Sequence, residues 1–173
     1  SVWKAVNSLR KEGYAIDAVT NKGYCLSEKG DILSMQGILK YLSPEYQKMN
    51  IRVEKEAEST NAMVREYAEQ GTPEGFLLVV SEQTKGRGRY GRAFFSPHGT
   101  GVYFSLLLRP QGIMAQPGTG ITAMAAVAMC EAVSALSGKP TGIKWVNDIY
   151  VNGKKVCGIL TEASMGLESG TLD

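Results

Sequence analysis

Apolar positions recur along this 173-residue chain with two different periods, and the changes of period mark its elements. Val2, Val6 and Leu9 stand at helical spacing, and Gly13 supplies a C-terminal stop. Tyr14 to Val19 and Gly23 to Leu26 read as short strands joined by a turn over Thr20 to Gly23. Ile32, Met35, Ile38, Leu39 and Leu42 then mark a short amphipathic helix closed by Ser43-Pro44. Ile51 and Val53 open a strand in which charges alternate, and Ala62 to Gln70 predicts a helix stopped by Gly71. Phe76 to Val80 and Val102 to Leu108 are continuous apolar runs, expected to be buried strands. Ile121 to Leu136 is apolar on nearly every side and predicts a buried helix ended by Gly138 and Pro140. Ile143 to Val146 reads as a strand. Ile149 to Val151 and Val156 to Leu160 flank Asn152-Gly153, the signal of a type I′ hairpin turn.

This order of elements predicts an α/β (α+β) fold, a mixed β-sheet with helices packed on it. It does not fit a doubly wound parallel sheet, because it contains a hairpin. The first helix and hairpin match the second half of a winged helix-turn-helix. The expected division is therefore a partial winged helix over 1–28, a linker helix over 29–48 and an α/β unit over 49–173. Ser27 to Asp31, polar and glycine-containing, is the expected linker. Both ends read as cut: the chain opens inside a helix without an initiator Met, and Gly170 to Asp173 follows a strand where another is expected.

Composition narrows the function classes. A net charge of +2 means that anion binding must come from local clustering. Cys25, Cys130 and Cys157 are scattered, and His98 is the only histidine, so no zinc pattern is present. Odd, scattered cysteines and the lack of a signal peptide favour a reducing, cytoplasmic setting. The Ile121–Leu136 segment carries Glu131 and is too short to span a bilayer, so no membrane partner is expected.

The densest local cluster is Gly86-Arg87-Gly88-Arg89-Tyr90-Gly91-Arg92, preceded by Lys85 and set between two apolar strands. Glycine lets backbone approach a ligand, and arginine offers a planar fork to carboxylate or phosphate. A basic surface turn is the bland alternative. A disordered RG-type tail is disfavoured because the motif occurs once, between core strands. Three further segments could join it. Ser59-Thr60-Asn61 is either a ligand-facing cluster or a helix N-cap. Lys144-Trp145-Val146-Asn147-Asp148 is either a functional insertion or a β-turn. Lys154-Lys155 follows the hairpin turn, where lysines are usually solvated. In the first helix Lys4, Asn7, Arg10 and Lys11 could contact DNA or form a solvated face.

Taken in order, STNAM from Ser59 to Met63, SEQTKGRGRYGRAFFSP from Ser81 to Pro97 and KWVNDIYVNGKKVCGILTE from Lys144 to Glu162 resemble biotin–protein ligases. The resemblance covers most of residues 50–163. It implies a class II synthetase-like catalytic fold, ATP and Mg2+ as cofactors, and biotin as substrate. Biotin is converted to biotinyl-5′-AMP and passed to a lysine of a biotin carboxyl carrier protein. The N-terminal helix and hairpin resemble part of the DNA-binding domain of bifunctional members, which repress biotin genes; operator DNA and a ligand-linked homodimer are the partners implied. Lipoate–protein ligase shares the reaction type but has a different arginine-glycine signature. A ligand-responsive repressor without catalysis is the remaining alternative.

By this resemblance Ser59, Thr60, Asn61 and Gln83 bind the ureido ring of biotin, with Gly86, Gly88 and Gly158 beside the ligand. Arg87 and Arg89 contact biotin and the adenylate phosphate. Lys155 reaches the biotin carboxylate and the α-phosphate, as a charge stabiliser rather than a nucleophile. Arg92, Phe94, Lys144, Asn147 and Asp148, with Arg89, serve the nucleotide, and Arg87, Arg89, Lys144 and Lys155 form the implied catalytic set. Phe94 stands where many relatives carry Trp, and Val146 where many carry Pro. The family's further C-terminal strands and SH3-like domain have no counterpart in these residues.

Overall fold

The computed structural model describes residues 1–11, 13–27, 32–110 and 120–164. The linker expected at Ser27 to Asp31 lies, beyond Ser27, outside them. The chain divides into two compact units, Ser1–Lys48 and Met49–Asp173.

In the first unit, helix α1 (Val2–Lys11) is followed by antiparallel strands β1 (Ile16–Val19) and β2 (Gly23–Leu26). The turn between them places Asn21 and Gly23 at positive φ, 61° and 96°. Of the apolar positions on α1, Val6 is buried whereas Val2 and Leu9 are exposed. Helix α2 (Met35–Leu39) is shorter than its apolar pattern predicts, with Ser34 as N-cap accepting from the Gly37 N–H at 3.1 Å. A 3-10 turn over Pro44–Tyr46 follows.

In the second unit, strand β3 (Ile51–Glu54) pairs parallel with β4 (Leu77–Val80), and β4 pairs antiparallel with β5 (Tyr103–Leu106). This is the expected mixed sheet. Helix α3 (Thr60–Glu69) crosses between β3 and β4 and buries Thr60, Val64 and Ala68, one residue per turn of a single face. That face meets Leu78, Val80 and Leu107, with Phe76 edge-on to Tyr67 at 4.9 Å between centroids. Leu78 and Val80 are fully enclosed, which stabilises the unit by about 2 kcal/mol each. Arg109 closes the C-terminal end of α3, donating to the carbonyls of Thr72 and Ala68.

The remaining strands form a second sheet rather than extending the first. Strands β6 (Thr141–Lys144), β7 (Asp148–Val151) and β8 (Lys154–Gly158) make an antiparallel meander. The β7–β8 turn places Asn152 at φ 50° and Gly153 at φ 74°, the two left-handed positions of a type I′ turn. Helix α4 (Ile121–Ser137) lies against β6 and β7 and ends at Gly138 in the left-handed conformation. Its expected burial is not found. Ala126 is buried, but Met124, Val127 and Leu136 are exposed, Leu136 by 91%. A helix is about 10 Å across, and a small sheet covers only one side of it.

Candidate functional site

The basic loop is an ordered hairpin. Gln83 bridges Ser96 and Arg87 bridges Ala93 in antiparallel fashion, and a tight turn closes the tip, the Arg92 N–H donating to the Arg89 carbonyl at 3.3 Å. The Gly88 N–H donates to the Arg92 carbonyl at 2.7 Å, and the Phe94 N–H donates to that of Gly86 at 2.9 Å. Tyr90 and Gly91 take positive φ at the tip, 59° and 70°. The two preceding glycines differ. A Cβ on Gly86 would lie 2.3 Å from the Phe94 carbonyl oxygen and 2.7 Å from Ser96 Oγ, whereas one on Gly88 would meet nothing nearer than 3.5 Å. Gly86 is therefore required by the closure of the hairpin itself.

Two groups of side chains meet at this hairpin. The first is built on the start of α3. Ser59 occupies the N-cap position with extended backbone, yet its hydroxyl makes no capping bond. Gln83 supplies the cap instead: its Oε1 accepts from the Thr60 N–H at 2.8 Å and the Thr60 hydroxyl at 3.1 Å. Gln83 Nε2 donates to Ser96 Oγ, and Ser96 donates to the Phe94 carbonyl, each at 3.1 Å. Ser105 on β5 faces Thr60 and Asn61. Asn61 in turn donates to the Leu160 carbonyl and to Glu162, which also pairs with Arg65.

The second group lies on one face of the β6–β8 sheet. Asp148 pairs with Gly158 and Tyr150 with Lys155, while Val156 is an extra residue between them. This bulge has a chemical consequence. Residues 155 and 158, three apart, would lie on opposite faces of a regular strand. With Val156 unpaired, Asp148, Tyr150, Lys155 and Gly158 share a face, and Lys144, opposite Asp148, joins them. Cys157, opposite Ile149, turns to the other face.

On the shared face Lys155 Nζ lies 2.7 Å from Asp148 Oδ1, a buried atom, and 5.6 Å from the centre of the Phe94 ring. A Cβ on Gly158 would fall 3.0 Å from Lys155 Nζ and 3.2 Å from the Phe94 ring, so the absent side chain is the space the lysine occupies. The hairpin tip joins this face through Arg89, which donates to Asn147 Oδ1 at 3.2 Å and to Tyr90 Oη at 3.2 Å and lies over the Tyr90 ring. Asn147 is itself held by Ile159, through N–H to carbonyl bonds in both directions. Lys144 lies over the Tyr150 ring at 5.9 Å. Arg87 and Arg92 have no side-chain partner among the described residues.

Burial pushes the Cys157 thiol above the ordinary range, with Lys155 pulling the other way. Among the described residues no three His, Cys, Asp or Glu side chains gather at one point. Asp148 is the carboxylate of the cluster. Magnesium that travels with a nucleotide keeps most of its ligands from phosphate and water and takes one or two carboxylates from a protein. The residues present fit that kind of ion.

The structure thus brings together Ser59, Thr60, Asn61, Gln83 and Gly86 on one side, and Arg89, Phe94, Asn147, Asp148, Lys155 and Gly158 on the other. Sequence reading missed Ser96, Ser105, Tyr90, Tyr150 and Glu162. Only Ser105 carried a signal of its own, as the lone hydroxyl between Phe104 and Leu106. In the N-terminal unit Lys4, Asn7 and Lys11 lie along α1 with Trp3, which is 61% exposed. Arg10 is committed elsewhere: its guanidinium donates to the Ile16 carbonyl from Nε and Nη2 and lies over Tyr24. It fastens helix to hairpin. No helix among the described residues is long and apolar enough to cross a membrane.

Comparison with known proteins places these features in a family. A model of the biotin/lipoate A/B protein ligase family matches residues 53–169. The bifunctional ligase/repressor BirA of Bacillus subtilis (strain 168) is 43% identical over 162 residues, covering 94% of this chain and 50% of its own length. That of Escherichia coli (strain K12) is 31% identical over 160 residues, covering 92% and 48%. Among solved structures, a biotin protein ligase from Aquifex aeolicus in complex with biotin and ATP superimposes with a TM-score of 0.56 at 32% identity, over 71% of this chain and 49% of that one. The chain spans about half the length of the curated relatives it matches.

Proposed function

The chain belongs to the biotin/lipoate A/B protein ligase family, and we propose that it carries the biotin-activating site of an ATP-dependent ligase that transfers biotin to a lysine of a carrier protein. The observation that carries this reading is the cluster of Lys155, Asp148, Phe94 and Gly158 beneath the Arg89 hairpin. Two anions must meet in the first step, the carboxylate of biotin and the α-phosphate of ATP. A carboxylate oxygen forms a bond to the α-phosphorus, and pyrophosphate leaves. An amine of the carrier then attacks the acyl carbon of the adenylate, and AMP leaves.

The residues serve this sequence in distinct ways. Asp148 holds the Lys155 ammonium on the site face, where it offsets the charge of both reacting anions. Arg89, fixed by Asn147 and Tyr90, presents a fork to the phosphate. Arg87 and Arg92, without side-chain partners, supply further positive charge from the hairpin. Phe94 offers a ring beside Lys155, and Lys144 extends the charged face toward the leaving pyrophosphate. Asp148 and Asn147 are the residues that would face the magnesium, which neutralises phosphate charge when bound. Ser59, Thr60, Asn61 and Gln83, with the Gly86 and Gly88 backbone, form the polar wall for the ureido ring.

Replacing Lys155 by Ala in the intact protein is expected to slow single-turnover adenylate formation by roughly 10²–10³-fold, the scale for removing one transition-state donor. An unchanged rate would remove Lys155 from the mechanism. Pyrophosphate release with biotin rather than lipoate decides between the two substrates of the family.

A second reading concerns the N-terminal unit and rests on its helix, hairpin and the cations Lys4 and Lys11 beside Asn7. It acts as part of a winged helix on operator DNA, making the protein a biotin-responsive repressor that pairs as a ligand-linked dimer on a palindromic site. A cytoplasmic location follows from such a role. Absence of salt-sensitive operator binding at every ligand level would sink it.

A further inference from the structure

The face shared by β6, β7 and β8 carries two ammonium groups, those of Lys144 and Lys155, and the carboxylate of Asp148. By register Lys144 on β6 is the direct cross-strand partner of Asp148. The carboxylate nevertheless goes to the other lysine: Asp148 Oδ1 lies 2.7 Å from Lys155 Nζ. Among the described residues the Lys144 ammonium has no carboxylate or carbonyl partner, and it lies over the Tyr150 ring, 5.9 Å from the centroid.

The register explains why the ring reaches it. Tyr150 stands directly opposite Gly142 on β6 and Lys155 on β8. Gly142 offers no side chain to hold the ring. A Cβ there would meet nothing within 4 Å, so the ring leans away from its direct partner. Lys144 is the diagonal neighbour two residues along β6, within reach of a long side chain and an aromatic ring. Phe94 serves Lys155 in the same manner at 5.6 Å. Each ammonium therefore has a ring, but Lys155 alone of the two has a counter-ion among the described residues. The difference matters chemically. A carboxylate holds a cation and cancels its charge, whereas a ring face attracts it through a quadrupole and leaves the net charge in place.

We infer that Tyr150 is a positioning residue: its ring holds the Lys144 ammonium on the site face without neutralising it, and so reserves that charge for the departing pyrophosphate. The inference rests on the biotin-activating reading above and deepens it. In that step the bond from the α-phosphorus to the bridging oxygen breaks, and its electron pair leaves with pyrophosphate. A cation already matched by Asp148 offers less to that developing charge. Tyr150 acts through Lys144 and not on the reacting atoms.

The test is biotin-dependent exchange of labelled pyrophosphate into ATP by the intact protein, which reads the leaving group directly. Tyr150→Leu is expected to raise the KM for pyrophosphate about fivefold, the scale of an exposed cation over a ring, while the KM for biotin stays within about twofold. Tyr150→Phe keeps the ring face and should restore the unaltered value. In a Lys144→Ala background Tyr150→Leu should add nothing, because the group it positions is gone. Where Tyr150→Leu does not fold, phenylalanine analogues of increasing ring fluorination at position 150 keep the shape and drain the ring face stepwise, and the KM for pyrophosphate should climb with each fluorine. A flat fluorine series, or an equal effect of Tyr150→Leu with and without Lys144, overturns the inference and leaves the biotin reading standing. No biotin-dependent exchange by the unaltered protein overturns both.

Discussion

Gly86 and Gly88 look interchangeable in the sequence, and the hairpin geometry says that they are not. In Gly86→Ala the new methyl would sit 2.3 Å from the Phe94 carbonyl oxygen, a main-chain atom that cannot swing aside. A relaxed contact needs about 1 Å more, so the hairpin must open by that amount. Opening stretches the bond from the Phe94 N–H to the Gly86 carbonyl, now 2.9 Å, and the one from Gln83 Nε2 to Ser96, now 3.1 Å, past useful length. The Gln83 N–H bond to the Ser96 carbonyl, at 2.9 Å, lies in the same ladder. At about 1 kcal/mol each, with a further cost for any polar atom left buried and unpaired, the loss comes to about 2–4 kcal/mol. Gly88→Ala meets its nearest atom at 3.5 Å on an extended backbone, φ −114°, and should cost less than about 1 kcal/mol. The assay is urea denaturation of the intact protein, followed by calorimetric titration with biotin for Gly86→Ala. Because Gln83 orients Thr60, that variant should also bind biotin at least about tenfold more weakly. An unchanged midpoint for Gly86→Ala, or an equal fall for Gly88→Ala, would refute the argument.

Gly158→Ala should behave differently from both, because its new methyl meets the flexible end of Lys155, at 3.0 Å, rather than backbone. Stability should fall by less than about 1 kcal/mol, whereas adenylate formation falls about tenfold or more as the ammonium is pushed aside; equal damage to both would contradict the cleft geometry. Cys157 should alkylate with iodoacetamide much more slowly than the exposed Cys25 at neutral pH, and accelerate only above the ordinary thiol range, since burial disfavours its thiolate. Native stability carried by that neutral thiol is present below the unfolded-state thiol pKa and lost as pH rises through the higher native value. Equal labelling of the two cysteines at pH 7 would count against it.

What could be read from the residues was what depends on near neighbours. Asn152-Gly153 specified its own turn, because both positions take left-handed φ whatever surrounds them. The apolar run of β4 and the Val64–Ala68 spacing of α3 located the core, whereas the run from Val102 to Leu108, expected to be a buried strand, is buried on one face only: Ser105 and Leu107 are enclosed while Val102, Phe104, Leu106 and Leu108 are exposed. The charged glycine loop, in order with STNAM and KWVNDIYVNGKK, was enough to point to the family.

Partners distant in sequence were decided by the tertiary structure. Ser59 has the residue type of a cap, but the cap comes from Gln83, placed there by the pairing of β3, β4 and the loop. Arg10 has the look of a DNA-facing cation, but the hairpin behind it offers a carbonyl. The apolar girth of α4 predicted burial, yet one small sheet shields one side of it. The Val156 bulge is the sharpest case. Sequence alternation alone would put Lys155 and Gly158 on opposite faces, and only the register against Asp148 and Tyr150 puts them on one. Register is a property of two strands together, so no reading of β8 by itself could have brought the lysine to the site.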